Sequence, residues 1–192
     1  LYAGVPEGLP AVEASYTDGH GTAETVASAA TAAVANVNDA PTGSVTIDDT
    51  TPTQGDTLTA SNTLADADGL GPITYTWKAD GSVVGTGTTY TVTEAEVNKV
   101  ISVEASYTDG HGTGELVASA ATAAVTNVND APTGLPAVTG TATEDQILTA
   151  DTSGISDADG LGAFSYQWLR DGAIISGATG GTYTLGDADV GA

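Results

Sequence analysis

The chain has 192 residues, with 25 Asp and Glu against 3 Lys and Arg, a formal net charge of −22 at pH 7, and no cysteine. Lys78, Lys99 and Arg170 are too few and too scattered to form the basic face that a nucleic acid or an anionic membrane surface requires. The missing thiols exclude a disulfide framework, a thiolate metal site and a thiol nucleophile, and His20 and His111 leave little for acid–base chemistry.

In chain order, residues 1–11 (LYAGVPEGLPA) come first and do not match the VNKVIS region at 97–102. From there the chain repeats itself. VEASYTDGHGT at 12–22 returns at 103–113, NVNDAPTG at 36–43 returns at 127–134, and DADGLG at 66–71 returns at 157–162, each 91 residues on. Trp77 and Trp168 keep this offset, as do Asp80-Gly81 and Asp171-Gly172. The offset then becomes 93, because SGATGGTYT replaces GTGTTYT, which marks that stretch as a loop. The repeats divide the chain into the C-terminal part of one unit (1–42), a complete unit (43–133) and the N-terminal part of a further unit (134–192).

The complete unit reads as strands. SVTI (44–47) and DTLTA (56–60) are short and β-branched, and ITYTWKA (73–79) alternates at the strand period. Asp80-Gly81 signals a hairpin into SVV (82–84), and TTYTV (88–92) follows. EAEVNK (94–99) has room for one helical turn. VISVEASYT (100–108) alternates Val100, Ser102 and Glu104 against Ile101, Val103 and Ala105. ELVASAATAAV (115–125) closes the unit as a strand, since its alanines have no helix caps and it follows a DGHG turn. High acidity with much Gly, Thr and Ala also suits a disordered chain. The 40% hydrophobic content, with Trp77 and Trp168 inside alternating segments, favours a folded, cation-dependent protein. Seven or so strands in about 90 residues, with turn signals every 8–12, predict an all-β protein of tandem β-sandwich repeats. Trp77 is expected at the core centre rather than as a sugar-stacking platform. Ala and Thr fill a core poorly, so a unit this small is expected to need a further source of stability.

On an immunoglobulin-like topology the acidic motifs gather at one pole. The linker brings Asn36, Asn38 and Asp39, the DADG loop brings Asp66 and Asp68, and the TDGHG hairpin brings Asp109. The next junction gathers Asn127, Asn129, Asp130, Asp157 and Asp159. Two carboxylates ~4 Å apart repel by about 4 kcal/mol at an effective dielectric of 20, so such a pole calls for a counter-ion. Hard oxygen donors without sulfur suit Ca2+, whereas Mg2+ demands stricter octahedral geometry. The bland reading is that DADG and TDGHG are solvated turns, which they form on any grounds. His111 is a poor calcium donor and reads as a loop residue. Asp80, Glu94, Glu96, Asp187 and Asp189 fall at the opposite pole, where they either complete a neighbour's site or keep the surface soluble.

NVNDAPTG together with DADG resembles the cadherin-like and immunoglobulin-like tandem repeats of large bacterial type I-secreted adhesins, including the repeats-in-toxin and VCBS-like groups. The resemblance runs from about 12 to 190. In cadherin-type modules an Asn-Asp linker and an Asp-X-Asp loop coordinate interdomain calcium. That role carries over to Asn38, Asp39, Asp66 and Asp68, and to Asn129, Asp130, Asp157 and Asp159. Ala40 and Ala131 stand where a further Asn is common, which implies fewer ions per junction. The resemblance implies a secreted, extracellular protein at the bacterial cell surface, with neighbouring repeats of the same or identical chains as partners and surface glycans reached through other domains. No apolar run approaches the ~20 residues of a membrane span, and no signal peptide opens the chain, so membrane insertion is not expected.

The function expected first is therefore a structural, calcium-rigidified extender repeat of an extracellular adhesin or biofilm-matrix protein. A second reading is a self-assembling filament subunit in which half-repeats exchange strands. A third is a carbohydrate-binding module, for which the aromatics are few: seven Tyr, two Trp and one Phe. No enzyme is expected. Asp66 and Asp68 are a carboxylate pair in the sense of a glycosidase, but they recur as linker-associated turns rather than in a cleft.

Overall fold

The computed structural model describes residues 9–192. Residues 1–8, most of the unmatched opening segment, lie outside the described residues. β1 (Glu13–Thr17) and β2 (Ala23–Ala27) form an antiparallel hairpin around the first DGHG turn. Asp18 shapes that turn, its Oδ1 accepting from the N–H groups of His20 and Thr22, each at 2.8 Å.

The next seven strands form a two-sheet sandwich. They are β3 (Val45–Ile47), β4 (Thr57–Asn62), β5 (Thr74–Ala79), β6 (Ser82–Thr86), β7 (Thr89–Thr91), β8 (Ile101–Thr108) and β9 (Gly114–Ala118). One sheet has the order β3-β4-β7 and the other β6-β5-β8-β9, with every pairing antiparallel. Asp80 and Gly81 turn β5 into β6 with φ of 46° and 81°. Two consecutive left-handed residues match the twist of a tight hairpin, and the Asp-Gly pair tolerates them. Between β7 and β8 the chain makes a single 3₁₀ turn, Glu94–Glu96. Thr93 caps it, and the Glu96 carboxylate accepts from the Thr93 N–H at 2.9 Å and hydroxyl at 2.7 Å.

Alternation along the strands builds the core. Ile101, Val103, Ala105 and Tyr107 of β8 point inward beside Trp77 of the same sheet and share one core with Leu58, Val92 and Val45. Trp77 is fully buried, donates its indole N–H to the Gly87 carbonyl at 2.8 Å and stacks on Tyr90 with ring centres 5.9 Å apart. Burying a side chain of this size contributes roughly 1.5–3 kcal/mol or more.

Residues 115–125 depart from the expected single strand. β9 ends at Ala118, and pairing resumes only as isolated bridges from Ala124, Val125 and Thr126 to Val100, Val97 and Thr53. The chain is crossing here from one sheet to the edge of the other. In the gap the N–H groups of Ser119 and Thr122 still donate to the Val103 and Ile101 carbonyls at 2.9 Å, and side chains take the return bonds: Ser119 Oγ accepts from the Val103 N–H and Thr122 Oγ1 from the Ile101 N–H, both at 3.0 Å. Ser and Thr were there to satisfy backbone donors during the crossing.

The remaining strands are β10 (Ala137–Thr139), β11 (Ile147–Asp151), β12 (Leu169–Arg170), β13 (Ala173–Ile174) and β14 (Thr182–Thr184). They give a β10-β11-β14 sheet and a short β12-β13 hairpin. Trp168 repeats the Trp77 arrangement, donating to the Gly180 carbonyl at 2.8 Å and facing Tyr183 at 5.5 Å. Among the described residues the architecture is all-β, and no helix is long and apolar enough to cross a membrane.

Candidate metal centre

The linkers enter each following unit in the same way. Asp39 donates its N–H to Asp68 Oδ2, and Asp130 donates its N–H to Asp159 Oδ2, both at 2.7 Å. Within each loop the first aspartate holds the second: Asp66 Oδ1 accepts from the Asp68 N–H at 2.8 Å, and Asp157 Oδ1 from the Asp159 N–H at 3.0 Å. An Asp-X-Asp loop is thus self-organising, because its first side chain closes an Asx turn on its own backbone. Thr42 pairs with Ala65, and Thr133 with Ser156, clamping linker to loop at both junctions.

At the first junction the TDGHG hairpin covers this loop. The Gly110 N–H reaches the Asp68 carbonyl at 3.0 Å, and His111 Nδ1 lies 3.5 Å from Asp68 Oδ1. Asp109 Oδ1 accepts from the N–H groups of Thr113 and His111 at 2.8 Å each. Those backbone donors, Thr113's first, hold the Asp109 carboxyl below its ordinary range. Its other oxygen, Oδ2, is buried with no hydrogen-bond partner. Asp66 Oδ2 accepts from the Tyr107 hydroxyl at 2.6 Å, and burial followed by this bond pushes the Tyr107 phenol up. Asn38 is spent on Glu115, at 2.9 Å. Asn38, Asp39, Asp66, Asp68 and Asp109 therefore share one pole, but much of their bonding capacity goes to one another and to backbone.

The second junction differs. The bridges of Val125 and Thr126 to Val97 and Thr53 bring the chain out beside the 3₁₀ turn of the central unit. Glu94 of that turn, Asp130 of the linker and Asp159 of the next loop each present an oxygen, and the three lie within 4.8 Å of one another. Among the described residues this is the single group of three such ligands. Glu94 Oε2 is buried and has no hydrogen-bond partner. Burial, then the charges of Asp159 and Asp130, push the Glu94 carboxyl above its ordinary value. Gln54 fastens the joint from the same pole, donating to Asp130 Oδ2 at 2.9 Å and accepting from the Val128 N–H at 3.2 Å. Asn127 donates to Asp159 Oδ1 at 2.8 Å, whereas Asn129 bonds the Asp130 carbonyl at 3.0 Å. Asp157 remains the loop organiser.

Glu94 had two open readings in the sequence, and the geometry places it against the neighbour's loop. No motif in the sequence marks Gln54. Its only signal is position: it sits in the turn before β4, at the pole where the chain leaves the unit.

The donor set can be tested against an ion. Oxygens bound at 2.3–2.6 Å to one calcium lie at most about 5 Å apart. Three carboxylate oxygens mutually within 4.8 Å meet that limit, and they are hard donors without nitrogen or sulfur. Glu94 and Asp159 each offer one carboxylate oxygen from two successive units, and Asp130 one from the segment between.

The chain matches no protein-family model, no curated protein and no solved structure.

Proposed function

We propose that the chain is a structural, calcium-rigidified extender segment of a bacterial extracellular adhesin or biofilm-matrix protein. The observation that carries this reading is the convergence of Glu94, Asp130 and Asp159 from three successive parts of the chain. A ligand set divided this way does nothing for one unit alone. It opposes motion between units, because bending the joint would pull apart oxygens held to one ion. Without the ion the same carboxylates repel, which loosens the joint. Metal binding and interdomain order are then one equilibrium. The net charge of −22 extends the argument to the whole chain, which is better neutralised where divalent cations are plentiful than where they are scarce. Affinities of about 10⁻⁴–10⁻³ M, usual for extracellular modules, suffice for such a switch. Export and surface location rest on the resemblance of NVNDAPTG and DADG to adhesin repeats.

Thermal melting in calcium and in EDTA tests the reading. At a free calcium 100 times the dissociation constant, a site present only in the folded chain adds about 2.7 kcal/mol. The midpoint is expected to rise by several degrees and to saturate, with magnesium less effective. Superimposable curves in calcium and EDTA would overturn the proposal.

A further inference from the structure

The segment that leaves the central unit is zipped between two parts of it before it reaches the metal centre. Val125 donates its N–H to the Lys99 carbonyl and accepts from the Asn98 N–H, both at 2.9 Å. The next residue, Thr126, donates to the Pro52 carbonyl and accepts from the Gln54 N–H, again at 2.9 Å. The backbone of Gln54 is therefore a fixed point, and the turn around it is stiff. Asp56 Oδ2 accepts from the Thr53 N–H at 2.8 Å and hydroxyl at 2.7 Å. Gly55, at φ 91°, donates to the Val92 carbonyl at 2.9 Å, and glycine takes that left-handed backbone at no steric cost.

The Gln54 side chain extends this fixed point to the linker. A primary amide has an acceptor oxygen and a donor nitrogen, and here both are used. The oxygen accepts from the Val128 N–H at 3.2 Å, and the nitrogen donates to Asp130 Oδ2 at 2.9 Å. Asp130 in turn donates its N–H to Asp159 Oδ2 at 2.7 Å, and Asn127 donates to Asp159 Oδ1 at 2.8 Å. An unbroken run of hydrogen bonds thus leads from the turn before β4, through the linker, into the loop of the next unit. No ion takes part in it. It converges on two of the three carboxylates of the metal centre and holds them close although their charges repel.

This arrangement needs an amide in particular. Asp145 of the following unit occupies the place of Gly55: its φ is also left-handed, at 64°, and it donates to the Leu185 carbonyl at 3.0 Å. Glu144 therefore stands where Gln54 does. Its carboxyl is held above its ordinary value by hydrogen bonding to Asp187, the counterpart of Glu94, and then by burial. An ionised carboxylate accepts but does not donate, so at position 54 it could hold Val128 and would repel Asp130.

We infer that Gln54 is the positioning residue of the joint: it docks the linker without an ion and sets Asp130 in place to meet Glu94 and Asp159. Ligands already assembled lose less freedom when calcium arrives, so Gln54 raises the affinity without touching the metal. The effect on affinity rests on the calcium reading; the order of the metal-free linker does not.

Hydrogen exchange of the full chain in EDTA, followed amide by amide by NMR, reads the docking. Gln54→Met keeps the side-chain length and removes both bonds. It is expected to speed exchange at Val128 and Asp130 roughly tenfold, the scale of one such bond, with the circular dichroism unchanged. Gln54→Glu keeps only the acceptor and is expected to release Asp130 while Val128 stays protected. Calorimetric titration with calcium chloride reads the positioning. Gln54→Met is expected to weaken binding about tenfold, the low end for a group that orients a ligand. Asp130→Ala weakens binding by itself, and adding Gln54→Met to it is expected to weaken it no further, since nothing is left to orient. Val128 and Asp130 amides that exchange as fast in the parent as in Gln54→Met would overturn the inference, as would equal calcium affinities in the two. A parent chain that takes up no calcium would sink the calcium reading instead, and the exchange rates in EDTA would then decide the role of Gln54 alone.

Discussion

The Asp39 N–H donates to Oδ2 of Asp68 at 2.7 Å, fixing the incoming linker to the loop of the unit it enters. Asp130 and Asp159 repeat this bond at the same length, but in different surroundings. Asp68 is 7% exposed because the DGHG hairpin lies over it, whereas Asp159 is open to solvent. One bond is therefore part of a folded core rim, and the other relies on what else comes to the joint.

Asp68→Ala and Asp159→Ala are expected to separate these roles. In EDTA, Asp68→Ala removes a buried carboxylate that accepts from the Asp39 N–H and is expected to cost about 1–3 kcal/mol in urea denaturation. Asp159→Ala in EDTA is expected to stay within about 0.5 kcal/mol, as exposed substitutions do. With calcium the order of sensitivity changes: Asp159→Ala loses the metal-dependent gain, and Asp68→Ala retains it. Equal losses for both variants in EDTA would contradict the difference in burial.

Glu94 carries a pH dependence of definite sign. Its carboxyl is raised from the ordinary 4.5 by burial and by Asp159 and Asp130. A raised carboxyl stabilises the fold when protonated, so this contribution is full below pH 4.5 and is lost as pH rises through the higher folded value. Asp109, Asp18 and Asp48 are shifted the other way, chiefly by backbone N–H donors from Thr113, Thr22 and Thr59. Their contributions are full above the ordinary 3.8 and are lost as pH falls below it. In EDTA, stability is expected to peak in mild acid, fall somewhat above pH 4.5 and fall steeply below pH 3.8. Glu94→Gln is expected to flatten the limb above pH 4.5 and leave the acid limb unchanged. In calcium at pH 7 the same variant is expected to be less stable than the parent, because it discards a ligand. A pH titration of the urea midpoint with and without calcium reads all of this.

Much of the fold is written locally. Alternation places Ile101, Val103 and Ala105 on one face of β8, and Asp80-Gly81 marks the β5–β6 hairpin because few other pairs accept two left-handed residues. The crossing after Ala118 was not legible, because small residues such as those of 119–124 are compatible with continued strand, and only the second sheet's position decides where pairing stops. The candidate site divides the same way. Asp130 and Asp159 belong to motifs that recur, and recurrence made them visible. Glu94 and Gln54 come from the far pole of the preceding unit, and their meeting with Asp130 depends on how Val125 and Thr126 leave the sandwich. No spacing along the chain encodes that route.

The central sandwich tolerates no side chain where its two acidic loops touch, and this can be measured without any ligand. A Cβ at Gly71 would lie 2.0 Å from the Thr108 carbonyl oxygen, a backbone atom held by the β8–β9 ladder. Relief requires moving the DADG loop away from β8, which also disturbs the Tyr107 hydroxyl bond to Asp66. Gly71→Ala is expected to destabilise the chain by about 1–3 kcal/mol, the range of overpacking. Gly110→Ala is expected to act in the same direction, since its Cβ would meet the Asp68 carbonyl oxygen at 2.5 Å. Gly19→Ala, at the matching place in the exposed hairpin, meets nothing within 4 Å and is expected to leave the midpoint unchanged. Urea denaturation of the three variants at low protein concentration distinguishes a steric cost from a general intolerance of the turn to alanine, since a general intolerance would lower all three alike.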